Sequence, residues 1–189
     1  MSLDNLSIAL LIAPRGTEES EFVEPKKALE QAGANVTVIG LESGTAETNN
    51  NDLDPGGRYS VDKCFAEVSA DRFDGLVIPG GSVGADKLRG SQEAVAFVRA
   101  FFDAGKPVGA ICHAPWLLVE AGVLSGRTVT SFPTVRTDIE NAGGKWVDEE
   151  VTVDEGLVTS RKPDDLPAFC EKLIEEFAEG RHLPRGAKT

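Results

Sequence analysis

The sequence is poor in the residues that build disulfide frameworks and metal centres. Its 189 residues include three cysteines, at widely separated positions, and two histidines. An odd and scattered set of cysteines does not form a disulfide framework. Structural zinc sites are typically built from four ligands that come as two closely spaced pairs of Cys or His residues. This sequence does not contain two such pairs. We therefore expect no bound metal, and no other cofactor is expected either.

Basic charge and long hydrophobic runs are also scarce. Lys and Arg number 19 against 31 Asp and Glu, which gives a formal net charge of −12. Such an acidic chain is not expected to bind nucleic acid stably. No apolar run approaches the ~20 residues of a membrane span. The N-terminal segment carries Asp4 and no basic cluster, so a signal peptide is not expected. These absences predict a cytoplasmic protein without a membrane partner.

Short apolar runs alternate with amphipathic segments along the chain, which is typical of an α/β fold. The hydrophobic content of 41% suits one domain over residues 1–189, with an ordered core at about 7–180 and a polar tail at 181–189. The pattern predicts a doubly wound, mostly parallel sheet sandwiched by helices. The predicted strands are SIALLIA, ANVTVIG, GLVIPGG, PVGAI and RTVTS, and the predicted helices include SEFVEPKKALEQAG, SQEAVAFVRAFFDAGK, VRTDIENAGG and PDDLPAFCEKLIEEFAEG.

Two further segments carry specific expectations. EEVTVDEGLVTS predicts a β-hairpin that turns at residues 154–156. The longest polar stretch, residues 42–60, is expected to be a loop, with an interface or lid segment as the alternative.

The segment KPVGAICHAPWLL raises the question of whether Cys112 is a core residue or a nucleophile. Buried cysteines are common, and Cys64 and Cys170 fit that description. Cys112 instead follows a short strand and precedes a helix, with Ala110 and Ala114 two residues to either side. Small residues at those positions are typical of a nucleophile elbow. A helix N-terminus is expected to lower the pKa of the thiol.

The residue after this cysteine is His113, which is a candidate base; the alternative is a surface imidazole in the first turn of the helix. In an open α/β sheet, ligands bind at the carboxyl ends of the strands, where both residues are expected to lie.

Acidic residues and glycines follow two other strands at the same sheet edge. In PRGTEESEF, the side chains of Glu18, Glu19 and Glu21 are either solvated charges at a helix start or a source of a carboxyl group for the thiol. In IPGGSVGAD, Gly80 and Gly81 form a turn whose N–H groups are suited to an oxyanion hole. This turn matches neither the P-loop nor the dinucleotide fingerprint.

Together, AICHAPWLL, TEESEF, VIPGG and LVTSRKPDDLPAF resemble the ThiJ/PfpI (DJ-one) superfamily, in particular its intracellular-protease-like, stress-associated branch. The resemblance implies a flavodoxin-like sandwich of the class I glutamine amidotransferase type. It implies Cys112 as nucleophile with His113 beside it, and Glu18 as the carboxyl that hydrogen-bonds the sulfur. Gly81 and the His113 N–H correspond to the oxyanion hole. It also implies a homodimer or higher oligomer, in which Asp86 reaches the histidine of the neighbouring subunit.

The sequence departs from the family pattern at three points. Thr17 stands where an aromatic residue often precedes the glutamate, and Ala114 stands where glycine usually follows the Cys-His pair. The segment GGSVGADKLR is one residue longer than the family pattern, which affects the assignment of Asp86.

The leading hypothesis from these residues is an enzyme of reactive-carbonyl defence, of the glyoxalase or deglycase type. Its substrate would be a small carbonyl compound or a glycated molecule. A cysteine peptidase acting on peptides is the alternative within enzymes. The alternative outside enzymes is a stress sensor or protective chaperone that works through oxidation of Cys112.

Overall fold

The structure, a computed structural model, describes residues 1–182. The last seven residues of the predicted polar tail, 183–189, lie outside the described residues. The described part contains twelve strands: β1 (Ser7–Ile12), β2 (Arg15–Glu18), β3 (Asn35–Gly40), β4 (Gly44–Asn50), β5 (Asp54–Val61), β6 (Lys63–Cys64), β7 (Gly75–Ile78), β8 (Val108–Ile111), β9 (Thr128–Val129), β10 (Lys145–Trp146), β11 (Val151–Asp154) and β12 (Leu157–Ser160). Its six α-helices are α1 (Glu19–Gln31), α2 (Ser82–Arg89), α3 (Gln92–Asp103), α4 (Pro115–Ala121), α5 (Arg136–Asn141) and α6 (Leu166–Glu179).

A seven-stranded sheet forms the centre of the fold, in the order β11-β12-β8-β7-β1-β3-β6. Its strand pairs are parallel except for the antiparallel pair of β11 and β12. The predicted doubly wound, mostly parallel sheet is therefore confirmed. None of the helices in residues 1–182 combines the length and apolar character that crossing a membrane requires.

Hydrophobic cores lie on both faces of the sheet, which explains the continuous apolar run of β1. Ala9 and Leu11 belong to the core that also contains Phe97 of α3. Ile8 and Leu10 belong to the other core, which contains residues of α1 and α6. Successive side chains of a strand point to opposite faces of the sheet. Because both faces are covered here, consecutive residues of the strand are buried and apolar.

Several local signals in the sequence behave as expected. The Ser91 side chain caps α3 by accepting a hydrogen bond from the Ala94 N–H at 3.2 Å. Pro115 occupies the first turn of α4, where its missing N–H has no cost. The β11–β12 hairpin turns where predicted, and Glu155 and Gly156 adopt positive φ there.

The prediction of a loop over residues 42–60 was wrong. This stretch forms β4 and β5, which pair antiparallel and join β2 in a separate three-stranded sheet. Glu19, the first residue of α1, holds this hairpin in place. Its carboxylate accepts hydrogen bonds from the Tyr59 hydroxyl at 2.7 Å, the Gly57 N–H at 2.6 Å and the Asn50 amide at 3.0 Å. These strands are stabilised by pairing with β2 and by hydrogen bonds to Glu19, which is distant in the sequence. The local sequence of residues 42–60 does not indicate such contacts.

We predict that Glu19→Gln lowers the free energy of unfolding by about 1–3 kcal/mol near neutral pH, because a charged acceptor of several hydrogen bonds is lost. These hydrogen bonds lower the pKa of Glu19 from its ordinary 4.5. The stabilisation is therefore present above that value and is lost as the pH falls through the lowered pKa of the folded state. Urea unfolding across acidic pH measures this, and Glu19→Gln should show a weaker acid dependence than the wild type. Glu24→Gln, on the exposed side of the same helix, serves as the control. Equal stability of both variants would contradict the role of Glu19.

Candidate active site

Three neighbouring strands bring the predicted site residues to one edge of the sheet. Cys112 follows β8, the Gly80–Gly81 turn follows β7, and β2 with the start of α1 follows β1. Because β8, β7 and β1 are adjacent and parallel, their carboxyl ends meet at this edge. This is the position at which open α/β sheets bind ligands.

The backbone of Cys112 forms a sharp turn between β8 and α4. Its φ is 64°, in the left-handed region that residues other than glycine rarely adopt. The turn is held from both sides, since the Cys112 N–H donates to the Ser160 carbonyl at 3.0 Å and its carbonyl accepts from the Phe132 N–H at 2.9 Å. Ala110 and Ala114 are fully buried, as an elbow requires. Strain of this kind is typical of functional positions.

The sulfur of Cys112 is nearly buried, with the residue 7% exposed, and it is surrounded by hydrogen-bonding groups. The backbone N–H groups of Gly81 and His113 donate to it. The Gly80 N–H, also predicted for the oxyanion hole, donates instead to Glu21. The N–H groups of Gly81 and His113, which the family resemblance implies for that hole, lie at the sulfur. Their role in holding an oxyanion stays a prediction.

The carboxyl group beside the sulfur belongs to Glu21 and not, as predicted, to Glu18. Glu21 is fully buried, its Oε2 accepts the Gly80 N–H at 2.9 Å, and its carboxyl group hydrogen-bonds the Cys112 thiol. Oε1 is buried and has no nitrogen or oxygen partner among residues 1–182.

The reason for this correction is where the helix begins. β2 extends through Glu18, and α1 starts at Glu19, so Glu21 falls on the buried face of the first turn. The spacing to Pro25 and Leu29, four and eight residues further on, places Glu21 on the same buried stripe. That spacing was the signal available in the sequence. Glu18 instead accepts a hydrogen bond from the Asn51 N–H at 3.3 Å, and burial raises its pKa.

Burial governs the protonation of the thiol and its neighbour. It raises the pKa of Glu21 to about 8. It also raises the pKa of Cys112, and the charge of Glu21 adds to this, whereas the N–H groups of Gly81 and His113 act in the opposite direction. The prediction of a lowered pKa for this thiol was therefore wrong, because burial outweighs the N–H groups of Gly81 and His113. Near neutral pH, both the thiol and the carboxyl group hold their protons.

His113 is positioned to exchange a proton with the thiol. Its Nδ1 lies 3.2 Å from the Cys112 sulfur. The ring is stacked on Phe132, with centroids 4.7 Å apart, and packs against Trp116 at 5.0 Å. Burial lowers the pKa of His113, so its imidazole is neutral near pH 7 and able to accept a proton.

The Gly80–Gly81 turn has no room for side chains. A Cβ on Gly80 would lie 2.7 Å from both the Cys112 Cβ and the Glu21 Oε2. Gly81 has φ of 86°, and a Cβ there would lie 2.3 Å from the Gly16 carbonyl oxygen. Gly80 is therefore required for the close approach of this turn to the elbow, and Gly81 for its close approach to β2.

A predicted site residue, Asp86, and a cluster of metal-binding residue types both lie apart from the Cys112 cluster. The side chain of Asp86 is exposed on α2, 3.8 Å from Arg89, and no contact with His113 occurs within the described residues of one chain. A possible metal-ligating group, Glu176, Glu179 and His182, lies at the end of α6. Within this group, Nε2 of His182 lies 3.2 Å from Oε2 of Glu176.

Comparison with known proteins identifies the family of this chain. The family model described as the DJ-1/PfpI family matches residues 6–176. The chain belongs to the DJ-1/PfpI family. Within this family, it is similar to the protein/nucleic acid deglycase 2 of Escherichia coli K12, with 43% identity over 169 residues that cover 88% of this chain and 95% of the relative. It is also similar to general stress protein 18 of Bacillus subtilis, with 44% identity over 158 residues that cover 83% of this chain and 90% of the relative.

The DJ-1/PfpI assignment extends to solved structures. The crystal structure of Drosophila melanogaster DJ-1beta superimposes with a TM-score of 0.82 and 34% sequence identity, covering 94% of this chain and 91% of the fly protein. The family resemblance inferred from the motifs is therefore confirmed.

We predict that Gly80→Ala disrupts the site, because the added methyl group must displace either the elbow or the Glu21 carboxyl. A destabilisation of about 1–3 kcal/mol is expected, together with altered alkylation kinetics of Cys112. Gly90→Ala is the matched control, since its Cβ would meet nothing closer than 3.5 Å. Thermal unfolding and peptide mapping after alkylation measure both effects. Normal alkylation of Cys112 in Gly80→Ala would show that this close approach is not needed.

The Glu21 and Cys112 pair should lose two protons in two coupled steps as the pH rises. We therefore expect the alkylation rate of Cys112 to show two inflections in the alkaline range, because burial raises the pKa of both groups. Glu21→Gln removes one titrating group and should leave a single inflection. Glu18→Gln should keep both. If Glu18→Gln rather than Glu21→Gln removes an inflection, the assignment of the buried carboxyl is wrong.

Proposed function

We propose that this protein is a cysteine-dependent enzyme of carbonyl defence, acting on glyoxals or on their adducts with other molecules. The observation that carries this proposal is the cluster around the Cys112 sulfur: a base at 3.2 Å, a buried carboxylic acid and two backbone N–H donors. The similarity to a protein named as a deglycase supports the same chemistry.

The first step is formation of a carbon–sulfur bond. His113 Nδ1 takes the thiol proton, and the sulfur attacks the aldehyde carbon. The N–H groups of Gly81 and His113 stabilise the negative charge that develops on the aldehyde oxygen, which is then protonated to a hemithioacetal.

The remaining steps isomerise and hydrolyse this adduct without an external oxidant. A proton leaves the former aldehyde carbon and another is added to the neighbouring ketone carbon, which converts the hemithioacetal to a thioester of a 2-hydroxy acid. Water then cleaves the thioester, releasing the hydroxy acid and restoring the thiol. Glu21 and His113 are the titratable groups in contact with the sulfur, and they carry these protons.

Peptide hydrolysis is the enzyme alternative, because a cysteine and histidine in contact can also form an acyl-enzyme. Oxidation of Cys112 is a second candidate function, and a specific observation favours it. The protonated Glu21 and two N–H groups converge on the sulfur, and a sulfinate formed there would accept these hydrogen bonds.

Assembly and location complete the proposal. A homodimer or higher oligomer would bring Asp86 of one subunit near His113 of another, where its charge would favour the protonated imidazole. The exposed position of Asp86 supports this placement. A cytoplasmic location would suit a protein that meets small carbonyl compounds or glycated molecules.

Cys112→Ala should lower methylglyoxal turnover by at least about 10³-fold, because no other group in the cluster forms the carbon–sulfur bond. Cys170→Ala is the control, since that thiol lies in α6 away from the site. The measurement is release of hydroxy acid from methylglyoxal, from a glycated peptide and, for the alternative, cleavage of a fluorogenic peptide. Carbonyl turnover that persists in Cys112→Ala would overturn the proposal.

The same panel separates the alternatives. Cleavage of the fluorogenic peptide without carbonyl turnover would identify a peptidase. Stable sulfinate on Cys112 after mild peroxide treatment, with no turnover of any substrate, would identify an oxidation sensor. Mass spectrometry of the Cys112 peptide provides this measurement.

A further inference from the structure

A short chain of polar groups connects the β4–β5 hairpin with the candidate base. Asp52 lies at the hairpin tip, between the two strands. The Ser82 hydroxyl donates to the Asp52 Oδ2 at 2.9 Å, and the Ser82 oxygen lies 3.4 Å from Nε2 of His113. The other ring nitrogen of His113 faces the Cys112 sulfur.

The hairpin tip is held in a defined position. Asn51 and Asp52 have φ of 51° and 63°, values that side-chain-bearing residues rarely adopt. Glu18 accepts the Asn51 N–H at 3.3 Å, and the Asp52 Oδ1 accepts the Ser82 N–H at 2.8 Å. Asp52 therefore contacts both the backbone and the side chain of the first residue of α2. The two contacts fix where the Ser82 hydroxyl proton points.

The protons available in the hydrogen bonds between Asp52, Ser82 and His113 decide the tautomer of the imidazole. A carboxylate only accepts hydrogen bonds, so the single hydroxyl proton of Ser82 is used on Asp52. The Ser82 oxygen can then act only as an acceptor toward His113. The hydrogen bond at Nε2 requires an Nε2–H donor, and a neutral imidazole with this proton has a free lone pair on Nδ1.

This tautomer is the one that the buried thiol needs. Because Cys112 holds its proton near neutral pH, a base must remove it before the sulfur can attack. The opposite tautomer would place an N–H against the sulfur and leave no lone pair there. Thr134 offers a competing arrangement, since its hydroxyl lies 3.4 Å from Nε2 and can donate to it. Asp52 and Ser82 decide between the two.

We propose that Asp52, acting through Ser82, is a positioning residue that holds neutral His113 as its Nε2–H tautomer, with Nδ1 free to take the Cys112 proton. In that step the S–H bond breaks, an Nδ1–H bond forms, and the products are a thiolate and an imidazolium. The Ser82 hydroxyl proton does not move. The catalytic consequence rests on the proposed function, whereas the tautomer itself does not.

Nitrogen NMR of the imidazole side chains tests the tautomer without any substrate. The chain has two histidines, so a His182→Asn variant assigns the signals. At about pH 8, where a histidine of lowered pKa is neutral, the wild type should show Nε2 protonated and Nδ1 free. Asp52→Asn should shift the population toward Nδ1–H, because the new amide can donate to Ser82 and release its hydroxyl proton for Nε2. Ser82→Ala should shift it in the same direction through Thr134.

The second readout is the alkylation rate of Cys112 near neutral pH. We expect Asp52→Asn and Ser82→Ala to slow it about tenfold or more, since general-base contributions are about 10²–10⁴-fold. Asp54→Asn, which removes a carboxylate at the start of β5, is the matched control and should change neither readout. Thermal unfolding shows that each variant is folded.

The outcomes are decisive in both directions. An Nδ1–H tautomer in the wild type would overturn the inference, even if every variant failed to fold. So would an unchanged tautomer in Asp52→Asn, or a shift seen with Asp86→Asn but not with Asp52→Asn. If the tautomer shifts as expected while no carbonyl compound is turned over, the inference stands and the proposed function fails.

Discussion

The site depends on the left-handed backbone of Cys112 at the end of β8. That conformation occurs at the sheet edge, where the buried thiol lies against the Gly80–Gly81 turn. It persists because Ser160 and Phe132 hydrogen-bond the cysteine backbone on both sides. Strained residues are retained where the surrounding structure over-determines them, and here β12 and the segment after β9 each provide one hydrogen bond.

Burial is the second constraint, and it shapes the chemistry. A thiol at an exposed helix N-terminus would ionise readily, whereas this thiol lies beside a buried carboxylic acid. Because ionising both groups would place two negative charges side by side in a dry environment, protons stay on the pair until a base or a substrate intervenes. The neutral imidazole of His113 lies against this pair and is able to accept a proton from the thiol.

The β4–β5 hairpin links the periphery of the fold to this centre. Glu19 holds its strands, Glu18 holds its tip, and Asp52 at the tip reaches Ser82. Adjacent residues at the junction of β2 and α1 thus serve different elements: Glu18 and Glu19 bind the hairpin, and Glu21 faces the sulfur. A polar segment that the sequence predicts to be a loop becomes part of the environment of the candidate base.

The sequence by itself determined the alternation of strands and helices, the elbow at Cys112, the glycine turn and the family. These features are local: apolar periodicity, small residues around a turn, and motifs read over a few positions. Only the tertiary structure decided that Glu21 is the buried carboxyl, because that depends on where β2 ends and α1 begins. Only the tertiary structure showed that residues 42–60 form strands and that Asp52 approaches Ser82, because polar strands are specified by partners distant in the chain. The direction of the Cys112 pKa shift was likewise decided in three dimensions, since burial outweighs the N–H donors that the sequence predicted.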